Sequence, residues 1–246
     1  MRIFFRVCLG VLVSCAILAL VVYGMVYASH LLADIVSPNE ASVNNASSEK
    51  KPIVVLDPGH GGMDGGAVGI GGICEKDLNL ALAKTLAEKL SAEGVTVILT
   101  RETDELLTYA GASSAKNGDL RARLKIAEES GDCLFVSIHM NKFSDSSVKG
   151  VTLYHSPNNP AGLQLAEEIM ARVKDSLQPE NKRPIKAADS SLYILHRITK
   201  PAVLVECGFL SNTYEASLLA DEGYRDRLAM LLTDAIVAFV NQTPSN

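Results

Sequence analysis

Two histidines in this chain stand just past strand-like apolar runs, and a third apolar run ends in a glutamate. The runs cover residues 53–56, 134–138 and 202–205, and the polar residues that follow them are His60, His139 and Glu206. The carboxyl ends of neighbouring strands in an α/β sheet share one edge, so residues far apart in sequence can converge there on a single cleft. The chain is therefore predicted to bring two imidazoles and a carboxylate to one edge of an α/β sheet, where they suggest a catalytic divalent-metal site.

Apolar periodicity predicts strands that alternate with helices. The predicted strands are 53–56, 95–99, 133–138, 151–155, 192–195 and 202–205, and the predicted helices are 77–93, 119–130 (capped by Asp119), 161–177 and about 213–241. Strands separated by helices indicate a single domain with a mostly parallel or mixed central sheet, flanked by helices on both faces. Antiparallel edges are expected at 151–155 and 192–195.

The N-terminal residues 1–28 are predicted to form a membrane anchor or signal segment. Residues 7–28 carry no charge, and Arg2 and Arg6 precede them. A bilayer core takes roughly 20 apolar residues, and arginines tend to stay on the cytoplasmic side. The run is longer than a signal-peptide core of about 7–15 residues, which favours an uncleaved anchor over a cleaved signal. Everything that follows would then lie outside the cytoplasmic membrane.

Beyond this segment, residues 29–51 are predicted to be a flexible stem, because residues 37–51 are rich in Ser, Asn, Pro, Glu and Lys and lack apolar periodicity. Residues 52–246 have a suitable length for one domain with a full core. The net charge of -5 and the absence of a basic patch argue against a nucleic-acid partner.

Five cysteines are present, and two of them lie in the N-terminal apolar run. The remaining three, Cys74, Cys133 and Cys207, are odd in number and form no C-x-x-C pair, which argues against a disulfide framework and against a structural zinc module. Cys74 and Cys207 each adjoin a candidate site residue, so a contribution of either to the site stays open.

The loop that follows the first strand is unusually rich in glycine over residues 57–67. Glycine lets a backbone pass close to a ligand. A phosphate cradle is the competing interpretation, but the Gly-Lys-Ser/Thr ending is absent and histidine stands there instead, which favours a metal. Glu75 opens the next helix. Spacing alone leaves it equally consistent with a metal ligand and with an acid favoured by the helix dipole.

Five sequence blocks together resemble the zinc-dependent N-acetylmuramoyl-L-alanine amidases of the third amidase family. The blocks are residues 57–67, 75–80, 100–104, 137–141 and 201–212. Their order and spacing hold from Ile53 to about Val240. A single short catalytic domain behind an apolar segment is most similar to the germination-specific, spore-cortex amidases.

The resemblance implies that His60, Glu75 and His139 bind Zn²⁺ and that Glu206 is the catalytic carboxylate. Two histidines and one glutamate leave an open position on zinc for water, as in other catalytic sites. The implied reaction is hydrolysis of the amide between N-acetylmuramic acid and L-alanine in peptidoglycan. The implied location is outside the cytoplasmic membrane, tethered there or secreted, in a developing spore envelope. Whether a protein activator is needed is left open.

Two other functions are weighed against this one: a zinc peptidase that cuts within the stem peptide, and a non-catalytic wall-binding protein. Glu206 could also be a structural carboxylate paired with Arg101 or Lys200. A buried acid is costly without a partner, so either interpretation requires one.

Several further polar residues are assigned smaller roles. Asp57 and Asn141 are candidates for orienting a ligand histidine, or else are strand-end turn residues. Arg121 and Arg123 are predicted to be solvated or salt-bridged, and His155 and His196 are predicted to be surface or hydrogen-bonded residues.

Overall fold

Strands and helices alternate along most of the chain, as the periodicity predicts. The computed structural model describes residues 20–25 and 51–242. The strands are β1 (Ile53–Pro58), β2 (Thr96–Leu99), β3 (Cys133–Asn141), β4 (Thr152–His155), β5 (Ile185–Ala187) and β6 (Ala202–Phe209). The helices are α1 (Glu75–Ala92), α2 (Ala115–Glu129), α3 (Pro160–Ser176), α4 (Tyr193–Arg197), α5 (Thr213–Ala220) and α6 (Glu222–Gln242), and a short 3₁₀ turn covers Ile70–Gly72.

The six strands form one mixed sheet in the order β2-β1-β3-β6-β4-β5. β1 pairs in parallel with β2 and β3, and β3 pairs in parallel with β6. β4 runs antiparallel to β6, and β5 lies parallel to β4 at the edge. The prediction of a mixed sheet with an antiparallel element near 151–155 is therefore confirmed.

The predicted strand at 192–195 is wrong, because this segment belongs to the short helix α4. Ile194 and Leu195 are adjacent in sequence and both are buried. A short apolar run of this kind cannot be assigned to a helix or a strand by periodicity alone. The edge strand β5 lies instead at Ile185–Ala187, directly after Pro184.

Apolar side chains form a cluster on each face of the sheet, and helices cover both. The larger cluster packs α1, α3 and α6 against one face, where strand residues such as Val136, Ile138 and Val205 point. The smaller cluster lies beneath α2 and α4 on the other face, with Phe135 and Leu204 at its centre. Successive residues of β3 and β6 therefore face opposite clusters, as strand geometry requires.

The second helix begins earlier than predicted. Its N-cap is Ser114, whose side chain accepts a hydrogen bond from the Asn117 backbone N–H. Asp119 is not the cap, because it lies inside the helix and its carboxylate is used elsewhere, accepting from the Leu107 N–H and from Arg123. The closing helical region is also divided in two, with Asp221 between α5 and α6.

Most of the predicted N-terminal anchor and stem lies outside the described residues. Within it, residues 20–25 are helical and exposed. Among the helices that the structure describes, none has the length and apolar character needed to span a bilayer.

Candidate metal centre and active site

The carboxyl ends of β1, β3 and β6 lie side by side at one edge of the sheet. His139 on β3 stands opposite Glu206 on β6 in the parallel register. His60 follows the last residue of β1 by two positions. The topology therefore places the three sequence-predicted residues at a common edge.

His60, Glu75 and His139 form a group that could hold a metal ion, and in the described part of the chain no other such cluster of three or more ligand-type residues is found. One ligand atom from each lies within 4.8 Å of the others. Glu75 Oε1 is 2.9 Å from His139 Nδ1 and 3.3 Å from His60 Nε2. Zinc bonds to nitrogen and oxygen are about 2.0–2.2 Å long, so donors at these separations can share one ion.

Backbone amides fix the Glu75 carboxylate in this group. Oε2 accepts from the Ala67 N–H at 2.7 Å, and Oε1 accepts from the Met140 N–H at 3.0 Å. Burial favours the neutral acid, but the two histidines outweigh it and hold the pKa of Glu75 well below its usual range. The carboxylate is thus ionised and oriented, as a metal ligand must be.

His60 is held by its second ring nitrogen and by a constrained backbone. Its Nδ1 lies 3.0 Å from Asp64 Oδ2, which leaves Nε2 directed at Glu75. Metal-ligating histidines usually have such a partner on the other nitrogen. Burial lowers the pKa of His60, but Glu75 and Asp64 overcome this effect and raise it. With φ at 61°, His60 is the single non-glycine residue with positive φ among those described, a conformation that costs about 1–3 kcal/mol.

Gly59 lies against the imidazole of His139, and this close approach gives a testable prediction. A Cβ at position 59 would overlap Cε1 and Nε2 of that ring. We expect Gly59→Ala to displace His139 and to weaken metal binding by about 10–100-fold, the range found when contacts that orient a ligand are lost. Competition with a chelator measures the affinity.

Gly65→Ala is the matched control, because a Cβ there has no atom within 4 Å. It should bind metal as the unmodified chain does. Equal affinities of the Gly59→Ala and Gly65→Ala variants would contradict the prediction.

Two buried arginines hold the backbone that carries His60. Arg101 Nε and Arg123 Nη1 donate to the Pro58 carbonyl at 2.9 and 2.8 Å. Arg101 Nη2 donates to the Gly59 carbonyl at 3.0 Å, and Arg123 Nη2 donates to the His60 carbonyl at 2.6 Å. Three consecutive carbonyls are therefore held from two sides, which stabilises a loop whose conformation is otherwise unfavourable.

Arg123 is in turn fixed by two carboxylates. It lies 2.7 Å from Asp57 Oδ1 and 2.7 Å from Asp119 Oδ2, and all three side chains are almost fully buried. Asp57 also accepts from Thr100 and Ser137. Burial favours the protonated form of Asp57, but the charge of Arg123 and these hydrogen bonds prevail and lower its pKa.

Glu206 points to the same face of the sheet as His139, and no ion pair joins it to a cation among the described residues. Its Oε2 is buried and has no hydrogen-bond partner in the part of the chain that the structure describes. Burial raises the pKa of Glu206 to about 7, and the charge of Glu75 adds to the rise while His139 and His60 oppose it. The structural alternative, pairing with Arg101 or Lys200, is not seen, since Arg101 is engaged with backbone carbonyls.

His60 and His139 line a cavity of about 280 Å³, which also reaches Asp64, Lys116 and Tyr193. The cleft is thus open to a ligand beside the imidazoles, with α2 and α4 as its walls.

The profile of the N-acetylmuramoyl-L-alanine amidase family matches residues 54–238. The chain belongs to this family. The match spans all six strands apart from Ile53 and contains His60, Glu75, His139 and Glu206, so the sequence-based prediction of an amidase is confirmed.

Individual relatives agree with this assignment. The amidase is 34% identical to the germination-specific N-acetylmuramoyl-L-alanine amidase of Bacillus subtilis over 193 residues, which cover 77% of this chain and 80% of that protein. It is 32% identical to the amidase LytC of the same organism over 80% of this chain, but only 38% of LytC is covered. The solved structure of the CwlD amidase from Clostridioides difficile, in complex with the GerS lipoprotein, matches with a TM-score of 0.74 at 34% identity, covering 78% of this chain and 100% of that chain.

Four of the residues assigned smaller roles in the sequence analysis differ in their contacts in the amidase. Asp57 does not contact an imidazole but acts on the loop through Arg123, and Asn141 accepts from the Lys142 N–H as a strand-end turn residue. Arg123 is salt-bridged, as predicted, although it is buried. Arg121 is exposed, with its guanidinium 5.9 Å from the centre of the Tyr109 ring.

Among the residues that the structure describes, the remaining histidines and cysteines lie outside the metal group. His155 Nδ1 lies 3.0 Å from the Ser156 carbonyl, and His196 is exposed, both in agreement with prediction. Cys207 is buried in the larger apolar cluster, on the face opposite to Leu204. Cys74 caps α1 and its thiol lies 3.8 Å from the Gly72 carbonyl.

Sequence reasoning missed Asp64 and the arginine contacts. Asp64 lies inside the glycine-rich block, four residues after His60, and this spacing is the one local signal that could have indicated it. The contacts of Arg101 and Arg123 join residues far apart in the chain and leave no local pattern.

Proposed function

We propose that this amidase is zinc-dependent, with His60, Glu75 and His139 as the metal ligands and Glu206 as the catalytic acid/base. The reaction of the family is hydrolysis of the amide between N-acetylmuramic acid and L-alanine in peptidoglycan. The observation that carries the proposal is the convergence of two imidazoles and an ionised carboxylate within 4.8 Å, beside a buried Glu206 oxygen that has no partner among the described residues. Two histidines and one carboxylate match a known catalytic zinc donor set.

Each residue has a distinct part in this proposal. Bound zinc would polarise the amide carbonyl and lower the pKa of water towards 7. Glu206 accepts a proton from the attacking water and returns it to the departing amine, the usual duty of a carboxylate beside a metal. Burial raises the pKa of Glu206, which favours its uptake of a proton from the attacking water. Asp64 and the two arginines keep the His60 ring in place.

Removal of either imidazole is expected to reduce metal content together with activity. Loss of a residue that only hydrogen-bonds to a metal ligand weakens metal binding by about 10–100-fold. We expect His60→Ala and His139→Ala to weaken zinc binding by more than this, because each removes a ligand itself. Elemental analysis of the purified chain measures the zinc. His155→Ala is the matched control, because that imidazole lies outside the metal group. Full zinc content in a His60→Ala or His139→Ala protein would remove that residue from the ligand set.

Product analysis separates this function from the two alternatives. Mass spectrometry of digested peptidoglycan should show released stem peptides that begin with L-Ala. Shortened stems still attached to muramic acid would indicate a peptidase, and an unchanged polymer with bound protein would indicate a wall-binding role.

We also propose that the amidase works outside the cytoplasmic membrane in the spore envelope, tethered or secreted through residues 1–28. The apolar run 7–28 supports the membrane segment, and the identity to a germination-specific amidase supports the spore role. The complex of CwlD with a lipoprotein supports a protein partner in the same compartment. Cell fractionation of a sporulating host, with and without residues 1–28, tests the location. Recovery of both forms in the cytoplasm would contradict it.

A further inference from the structure

A second and larger cavity lies at the same end of the sheet. It has a volume of about 710 Å³ and shares no lining residue with the cavity that contains His60 and His139. Its walls are formed by Lys149 and Gly150 before β4, by the loop that follows α3, and by α5 and α6. Cavities of about 300–1,000 Å³ are typical of sites for small ligands.

The lining carries an excess of positive charge. Four cations, Lys149, Lys182, Arg183 and Arg227, face two carboxylates, Glu180 and Glu215. Within residues 51–242, none of the four cations has a carboxylate within ion-pair distance. Glu215 is already engaged, because it accepts from the Gly150 and Phe209 N–H groups at 2.9 and 2.8 Å. The cavity is therefore suited to an anionic ligand.

Arg183 is the best-positioned of these cations. Its Nε donates to the Lys149 carbonyl at 3.0 Å, and its guanidinium carbon lies 5.0 Å from the centre of the Phe209 ring. In the described part of the chain, neither Nη atom of Arg183 makes a hydrogen bond. A guanidinium fixed in this way presents a free pair of donors, the arrangement that binds a carboxylate through two parallel hydrogen bonds.

Two side-chain amides, that of buried Asn181 and that of half-buried Gln178, hold the loop that carries Arg183. Asn181 donates to the Val151 carbonyl at 3.0 Å and accepts from the Arg183 N–H at 2.8 Å. Gln178 accepts from the Val151 N–H at 2.9 Å. Asn181 is only 8% exposed. These hydrogen bonds hold the loop, so the Arg183 guanidinium is already in position before a ligand binds. Less conformational entropy is therefore lost on binding.

The cavity adjoins the strand that carries the catalytic carboxylate. Thr152, two residues after Gly150, pairs with Glu206 across β4 and β6, and Phe209, which supports Arg183, lies three residues after Glu206. The pKa of the Tyr154 phenol is raised by burial and by Glu206 and lowered by Arg183. One phenol thus lies within electrostatic range of both residues.

We propose that Arg183 anchors a carboxylate of the stem peptide while the muramyl–alanine amide lies at the metal centre. This inference rests on the amidase activity of the family, whose substrate carries a peptide chain on the leaving side of the cleaved amide. A peptide ends in a carboxylate, and its acidic side chains supply more. Arg183 is in this sense a substrate-binding residue that sets specificity for acidic peptides.

The test compares two synthetic muramyl tripeptides, one with free carboxylates and one with every carboxylate converted to an amide. For the full-length chain, we expect KM to be about 10–100-fold higher for the amidated substrate than for the free-carboxylate substrate. This factor corresponds to the loss of one hydrogen bond to a charged group. We expect kcat to differ by less than about twofold between the two substrates. Arg183→Met should raise KM by the same factor on the free-carboxylate substrate and should leave KM on the amidated substrate unchanged. Arg183→Lys should restore part of the affinity.

Arg172→Met is the control, since Arg172 lies on α3, pairs with Glu168 and does not line this cavity. It should behave as the unmodified chain on both substrates. Equal KM values for the two substrates on the unmodified chain would overturn the proposal, as would an equal loss on both substrates in Arg183→Met.

Calorimetric titration with the free tripeptide keeps the inference separate from the amidase assignment, because it requires no turnover. The tripeptide should bind the unmodified chain more tightly than Arg183→Met by the same factor. An unchanged affinity overturns the peptide-anchoring role of Arg183, whereas binding without hydrolysis of either substrate counts against the amidase function alone.

Discussion

Glu206→Gln is expected to reduce turnover by about 10²–10⁴-fold, the usual contribution of a positioned acid/base, while zinc stays bound. Glutamine has nearly the same shape but cannot take up a proton from water or return one to the amine. The three candidate ligands do not include Glu206, so the metal group should survive the change. Two measurements on the same preparation test this prediction. Turnover of a muramyl peptide tests the loss of activity, and elemental analysis tests whether zinc stays bound.

Glu102→Gln is a matched control for the loss of one carboxylate, because Glu102 is exposed in the loop after β2. It should leave both turnover and zinc unchanged. Near-normal activity of Glu206→Gln would refute the acid/base role, and loss of zinc from that variant would mean that Glu206 acts on the metal instead.

Arg123→Met is expected to lower the free energy of unfolding by about 3–5 kcal/mol, the cost of breaking a buried ion pair by removing one partner. Arg123 neutralises Asp57 and Asp119, each at 2.7 Å, and all three residues are buried, so its removal leaves two buried carboxylates without their cation. The His60 carbonyl also loses its donor at 2.6 Å. The folded fraction of Arg123→Met should therefore also bind zinc more weakly, because the loop that carries the candidate ligand His60 is held less firmly.

Denaturant unfolding of the zinc-free chain and chelator competition of the loaded chain measure the two effects separately. Arg121→Met provides the comparison, because Arg121 is exposed on the same helix, with its guanidinium 5.9 Å from the centre of the Tyr109 ring. Surface changes of this kind usually alter stability by less than about 0.5 kcal/mol. If Arg123→Met were as stable as Arg121→Met, the buried network could not be what holds the His60 loop.

The architecture could be predicted because strand and helix periodicities are local. Successive residues of β3 face opposite apolar clusters, and the leucines of α1 recur on one buried stripe. The errors occurred where local signals are ambiguous. The four-residue run 192–195 suits a strand or a helix equally well, and Asp119 has the chemistry of a cap although its carboxylate is used in the core.

The candidate site could be predicted in part for a similar reason. Ends of parallel strands must share an edge, which is enough to bring together His60, His139 and Glu206 without any knowledge of contacts. Sequence spacing did not decide whether Glu75 is a metal ligand or only an acid at the start of a helix. Its position depends on the N–H groups of Ala67 and Met140, which approach it only in the folded chain.

The sequence by itself determined the α/β fold, the family and the sheet edge at which the candidate site residues lie, because these depend on apolar periodicity and on short blocks of residues that can be read along the chain. Only the tertiary structure decided that Arg123 joins Asp57 to the His60 loop and that Asp64 takes the second nitrogen of His60. It alone also decided that Arg183 is held through Nε while its two Nη atoms have no hydrogen-bond partner within residues 51–242. These outcomes depend on distances through space between distant residues, and such distances are set by packing rather than by local pattern.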